Sequence, residues 1–234
     1  MALVKICGLQ TLSHVEAVAK LPVDYIGFVF ARSKRQVAPR TAGELIRAMR
    51  DASAGRAPSP GVVGVFVNPS HEDLASVLEE APLDVVQLHG QESPVFCREV
   101  KERWPEVKIF KVFSVSGGAV DEADGTVQAG TGAAARLEPY RGAVDGLLID
   151  TFDPVYGGGS GKTFAWDAIP PYLEWCRGAG IPLLVAGGLQ PDNVGELLGA
   201  FAPDGVDVSS GVETDGVKDL VKITSFVERV RDYV

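Results

Sequence analysis

Cys7 and Asp150 are the side chains in this sequence whose type and surroundings best suit proton transfer. Each closes a short apolar run, Leu3-Val4-Lys5-Ile6 before the cysteine and Gly146-Leu147-Leu148-Ile149 before the aspartate. A thiol serves as a base when a nearby cation or helix N-terminus lowers its pKa. A carboxyl serves as an acid when partial burial raises its pKa. A buried structural thiol and a carboxylate that holds the next loop are the plain alternatives, and residue type alone leaves them open. Arg32, Lys34 and Arg35 put three cations into four positions of the stretch Ala31-Arg32-Ser33-Lys34-Arg35-Gln36. Such a cluster suits an anionic ligand, and the arginine fork matches a carboxylate bidentately; a solvated basic loop is the alternative.

Three glycine-rich stretches follow later apolar runs: Gly157-Gly158-Gly159-Ser160-Gly161-Lys162-Thr163, Ala186-Gly187-Gly188 and Ser209-Ser210-Gly211. Bare glycine lets backbone N–H groups approach phosphate oxygens, although it also simply makes tight turns. The first stretch looks like a nucleotide-binding P-loop, but that pattern needs a glycine five residues before its second glycine. Counting back from Gly161 reaches Tyr156, so the match fails. His89, in Gln87-Leu88-His89-Gly90, either contacts substrate or fixes a loop, and Asp207 falls within an apolar run where its side chain is expected to point inward. Cys97 and Cys176 sit inside helical patterns and read as packing residues, while His14 and His71 open helices and read as structural.

The elements that must position these groups alternate. Short β-rich runs occur at 3–6, 24–30, 62–67, 84–88, 108–113, 146–150, 182–186 and 205–208. Their starts lie roughly 20 to 40 residues apart, room for one crossover helix each. Most are continuously apolar, as parallel strands buried on both faces must be. Helix-start signals fill the gaps: Ser13-x-x-Glu16 and Thr41-x-x-Glu44 have capping-box spacing, Ser70-x-x-Asp73 is similar, and Ser93-Pro94 puts proline at a first helical position. Residues 51–60 read as a linker. Residues 114–145 are Gly- and Ala-rich, so the helix expected there is short or replaced by loop. The alternation predicts an α/β class with one domain over 1–234, a closed (β/α)₈ TIM barrel; an open doubly wound sheet is the rival. In a barrel, reacting groups sit at the C-terminal strand ends and phosphate at the loops after strands seven and eight. Cys7, Asp150, Arg35, His89 and the glycine turns all pass that filter.

The chain has 234 residues, net charge −9 and 46% hydrophobic residues. That length is close to the roughly 250 typical of one such barrel. The acidic balance argues against nucleic-acid or anionic-membrane partners, so positive field for an anionic substrate must be local. Three widely spaced cysteines without CxxC predict reduced thiols and a cytoplasmic protein. Zinc-type spacing is absent, and no metal site is expected. No apolar run approaches transmembrane length.

Several blocks together resemble one family. VKICGL at 4–9, GFVF then SKRQV at 27–37, QLHG at 87–90, LLID at 147–150, GGSGKTFAWD at 158–167, LVAGGLQPDNV at 184–194 and GVDVSSGVE at 205–213 are similar to phosphoribosylanthranilate isomerase. The resemblance implies an Amadori rearrangement in tryptophan biosynthesis that needs no cofactor. Its substrate is a phosphorylated aminosugar, and the assembly is a monomer or homodimer. It implies Cys7 as base, Asp150 as acid and Arg35 on the anthranilate carboxylate. Phosphate would fall to Gly187, Gly188, Ser210 and Gly211, with the loop around Gly158 covering the substrate. His89 and Asp207 complete the expected substrate contacts. Ala165 departs from the family pattern, in which an acidic residue commonly precedes the tryptophan. An isomerase of phosphoribosyl aminoimidazole carboxamide, which typically uses two aspartates at strands one and six, and a non-catalytic phosphosugar-binding barrel are the competing readings.

Overall fold

The computed structural model describes residues 1–52, 59–115, 132–151 and 166–233. Eight parallel strands close into one barrel in sequence order: β1 (Leu3–Cys7), β2 (Tyr25–Val29), β3 (Gly61–Phe66), β4 (Val85–Leu88), β5 (Lys108–Val115), β6 (Gly146–Thr151), β7 (Leu183–Val185) and β8 (Gly205–Val208). Closure comes from β8 pairing with β1, with Lys5 opposite Asp207 and Ile6 opposite Val208. The open-sheet rival is thereby excluded. The eight strand positions read from the sequence hold to within two residues, because continuous apolar runs leave little choice of where the sheet lies.

Outside the barrel run α1 (Leu12–Val18), α2 (Pro39–Ala52), α3 (His71–Glu80), α4 (Pro94–Arg103), α5 (Ala133–Leu137), α6 (Ile169–Ala179), α7 (Val194–Phe201) and α8 (Leu220–Arg231). Two helix starts differ from the sequence expectation. Thr11, not Ser13, caps α1 by accepting the His14 N–H. The other, α2, begins at Pro39, which puts Thr41 inside it: proline is tolerated where the helix has no N–H to satisfy. The Ser70/Asp73 capping box and the Ser93 cap before Pro94 form as read. Between β5 and β6 the described helix is only the short α5 followed by a 3₁₀ turn at Glu138–Tyr140. After β8 a 3₁₀ turn (Ser210–Val212) leads into a small hairpin, β9 (Glu213–Thr214) and β10 (Val217–Lys218). Among the described residues no helix is long and apolar enough to cross a membrane.

Strand alternation makes two cores. Outward residues such as Val4, Ile6, Ile26 and Val206 meet the helices in the larger one, where Cys97 and Cys176 are also buried. Inward residues fill the barrel itself: Val63, Val85, Phe110, Val112, Leu148 and Leu184, with Leu3 and Tyr25 at its floor.

The floor carries a fourfold repeat. The residue before each even-numbered strand is an aspartate, and its carboxylate accepts a backbone N–H from the preceding odd strand. Asp24 takes Val4 N–H at 2.7 Å, Asp84 takes Val62 N–H at 2.7 Å, Asp145 takes Ile109 N–H at 2.9 Å and Asp204 takes Leu183 N–H at 2.9 Å. Each bond satisfies a donor at the strand's start and fastens one β/α/β unit. Asp24 is also held by Arg231 at 2.7 Å, which ties α8 to the first strands. Asp84→Ala should cost about 1–2 kcal/mol of stability by loss of a charge-assisted bond, with turnover unchanged because the site lies at the other end. Urea unfolding beside a steady-state assay checks both halves.

Candidate active site

The opposite rim, at the C-terminal strand ends, gathers most of the residues singled out from sequence. Cys7 ends β1, faces the barrel interior and is 7% exposed. The chain then turns at Gly8 with φ +79°, and a Cβ there would lie 2.6 Å from Arg35 Cδ. Only glycine lets the basic loop after β2 lie against the end of β1. Arg35 is thereby carried across to the hairpin after β8. There its Nε donates to Glu213 Oε1 at 2.6 Å and its second nitrogen donates to Oε2 at 2.9 Å. Lys218 also donates to Glu213, at 2.9 Å. Burial pushes the Glu213 carboxyl up, but the bonds from Arg35 and Lys218 outweigh it and hold the carboxyl at about 2. The arginine expected to take a substrate carboxylate is thus held in place by a carboxylate of the chain itself.

Asp150 ends β6 on the far side, 5% exposed. It borders a cavity of about 40 Å³ together with Gly187, Gly188, Asp207, Ser210 and Gly211. Six of the expected site residues therefore meet in one hollow. Gly187 and Gly188 both adopt left-handed backbone, φ +87° and +63°. Gly211 is required by contact: a Cβ there would sit 1.7 Å from the Leu189 carbonyl oxygen, where the β7 and β8 turns touch. His89 follows β4, and its Nε2 is 3.5 Å from Asp150 Oδ2. Burial, then the Lys111 and Lys5 ammoniums, lower the imidazole pKa to about 4, so His89 is neutral beside the aspartate near pH 7. Gly158 lies outside the described residues.

Sequence reasoning missed five participants, Lys5, Lys111, Glu92, Lys218 and Glu213. Lys5, fully buried, points into the barrel, and its Nζ lies 2.9 Å from Asp207 Oδ1. Asp207 does face inward as expected, but already has this partner. Lys111 pairs with Glu92 at 3.0 Å and donates to the Gly90 carbonyl at 2.8 Å, while Glu92 accepts the Gly90 and Asn68 N–H groups. This pair fixes the loop that carries His89. Lys218 and Glu213 anchor Arg35. For Lys5 and Lys111 a signal existed: each is a lysine inside a strand run, flanked on both sides by apolar residues. Lys218 and Glu213 gave none, because the hairpin that brings them in has no apolar pattern of its own.

A burial-raised thiol, a buried carboxyl three strands away round the ring, and glycine turns on the two strands between them make an arrangement for proton transfer on a bound anion. Comparison with known proteins agrees. Residues 4–229 match the family described as N-(5'phosphoribosyl)anthranilate (PRA) isomerase. The N-(5'-phosphoribosyl)anthranilate isomerase of Brevibacillus brevis is 47% identical over 99% of this chain and 94% of its own length. The crystal structure of the Thermotoga maritima phosphoribosyl anthranilate isomerase is 35% identical, covers 99% of this chain and 100% of its own, and superposes with TM-score 0.77. A structure of such an isomerase in complex with reduced 1-(o-carboxyphenylamino)-1-deoxyribulose 5-phosphate is 32% identical with TM-score 0.72, over 99% of this chain and 100% of its own. The chain belongs to the N-(5'-phosphoribosyl)anthranilate isomerase family.

Proposed function

We propose that the chain, acting as one catalytic domain over residues 1–234, converts N-(5-phosphoribosyl)anthranilate to 1-(2-carboxyphenylamino)-1-deoxyribulose 5-phosphate in tryptophan biosynthesis. The observation that carries this reading is the meeting of Asp150 with both glycine turns in one hollow, while Cys7 stands on the neighbouring strand beyond them. Phosphate held by the backbone of Gly187, Gly188, Ser210 and Gly211 would lay the sugar across the mouth between Asp150 and Cys7. Asp150, as acid, protonates the furanose ring oxygen as the ring opens to a Schiff base. Cys7, as thiolate, removes the proton on sugar C2, and the enolamine so formed tautomerises to the ketone. The iminium nitrogen of the substrate takes up the electron pair, so the steps need no bound metal or organic cofactor.

Arg35 takes the anthranilate carboxylate. Its two bonds to Glu213 orient the guanidinium and leave its other N–H donors for the ligand. His89, neutral beside Asp150, is a hydrogen-bond partner for the sugar hydroxyls and not a second cation. The acidic surface of a protein with net charge −9 is thereby offset locally, at the two ends of the substrate.

Cys7→Ala and Asp150→Ala should each lower kcat by about 10²–10⁴-fold, the range of one general acid or base. Loss of anthranilate fluorescence from fresh substrate measures turnover, and circular dichroism checks the fold. Unimpaired turnover in either folded variant removes that residue from its role. Arg35→Ala should raise KM by about 10-fold or more, as loss of a charged hydrogen bond worth about 1.5–3 kcal/mol implies, and Arg35→Lys should not restore it. An unchanged KM would place the carboxylate elsewhere. Glu213, with its pKa depressed in the fold, contributes stability that is complete above its ordinary value near 4.5 and disappears as pH falls toward about 2. Glu213→Gln should therefore be less stable than the parent at pH 7, and the gap in urea midpoint should close through that acid range.

A further inference from the structure

The barrel interior holds a charge pair that neither packing nor the steps above require. Lys5 and Asp207 are register partners on β1 and β8, both point inward, and Nζ to Oδ1 is 2.9 Å. Around them the interior is Val63, Val85, Val112, Leu148 and Leu184. Desolvating two charges in such a place offsets most of their attraction, and apolar residues of the same volume serve a core as well or better. Their presence at this layer calls for a use.

The position of Lys5 supplies one. Strand alternation puts residues 5 and 7 on the same inward face, in neighbouring layers of the barrel, and the Lys5 charge acts on the Cys7 thiol from there. Among the described residues, the charged groups that act on Cys7 from the elements packed around it are few. On its own strand there is Lys5, on β8 Asp207 and on the β10 hairpin Lys218, while β2 presents the uncharged Gly27, whose added Cβ would lie 2.9 Å from Sγ. Burial pushes the thiol up; Lys5 is the largest influence pulling it back, Asp207 opposes, and Lys218 assists.

Resting on Cys7 as the base, we propose that Lys5 is a positioning residue, the counter-ion of the Cys7 thiolate, and that Asp207 holds its ammonium charged and aimed while Cys7 is a thiol. The ammonium leans to Sγ when the thiolate forms and returns to Asp207 when the thiolate has taken the C2 proton. Lys5 exchanges no proton in the cycle. It acts on the fraction of Cys7 ready to react and touches no substrate atom.

The test is Lys5→Met in the full chain, with two readouts across pH 6–10. One is kcat and KM by loss of anthranilate fluorescence. The other is the rate of Cys7 alkylation by iodoacetamide, with Cys7→Ala as the blank for Cys97 and Cys176. The expected result is that the alkaline rise of both turnover and alkylation moves up by about one pH unit or more. Near neutral pH kcat then falls about 10-fold per unit moved, and KM stays within about twofold. A fall in kcat with both rises unmoved overturns the proposal, since a merely structural lysine would give that. If Lys5→Met does not fold, Lys5→Met combined with Asp207→Asn leaves no unpaired charge. A smaller upward shift of the alkylation rise is then expected, because the opposing carboxylate is lost as well, and no shift overturns the proposal. Failure of the underlying reading looks different: turnover persisting in Cys7→Ala removes the base, while the alkylation profile still decides what Lys5 does to the thiol.

Discussion

Everything at the mouth depends on one constraint, the register in which β8 closes onto β1. Side chains alternate along a strand, so a shift of one residue would turn every inward group outward. With Lys5 opposite Asp207, both face the interior, Cys7 follows one layer higher on the same face, and the turn after β8 arrives beside it. The same alternation on β6 puts Leu148 in the apolar interior and Asp150 above it at the rim. A barrel fills its middle with branched apolar side chains, and this packing pins the register on which the polar rim depends.

Charge is the second theme. The rim sits above a largely apolar interior, and the charged groups at and just below it are paired: Lys5 with Asp207, Lys111 with Glu92, and Arg35 with Lys218 around Glu213. Buried pairs of this kind contribute little net stability, yet removing one member leaves an uncompensated charge. They fix direction and charge state where substrate groups must be met. Neutral His89 beside Asp150 follows the same logic, since burial and two nearby ammoniums keep a third cation from forming there.

The two ends of the barrel divide their work. At the floor, four aspartates accept strand N–H groups in a repeating pattern and fasten successive units. At the rim, carboxylates bind cations and face the hollow. The same residue type holds the backbone at one end and serves the proposed chemistry at the other, because at the floor it meets main-chain donors and at the rim it meets side chains and space.

By itself the sequence determined the strands and the ring of helices, because continuous apolar runs and proline, serine and glycine signals are local. It also marked Cys7, Asp150, Arg35 and the glycine turns, because each interrupts or ends such a run. Capping was legible where serine and aspartate stand alone before a helix, as at Ser70, and misread where a threonine or proline two residues earlier starts the helix first. Only the tertiary structure decided which residues meet. Glu213 and Arg35 are joined across 178 positions by a bidentate bond, and Lys5 and Asp207 only because the last strand pairs with the first. Pairing across such distances is set by closure and register, and nothing local in the chain records it.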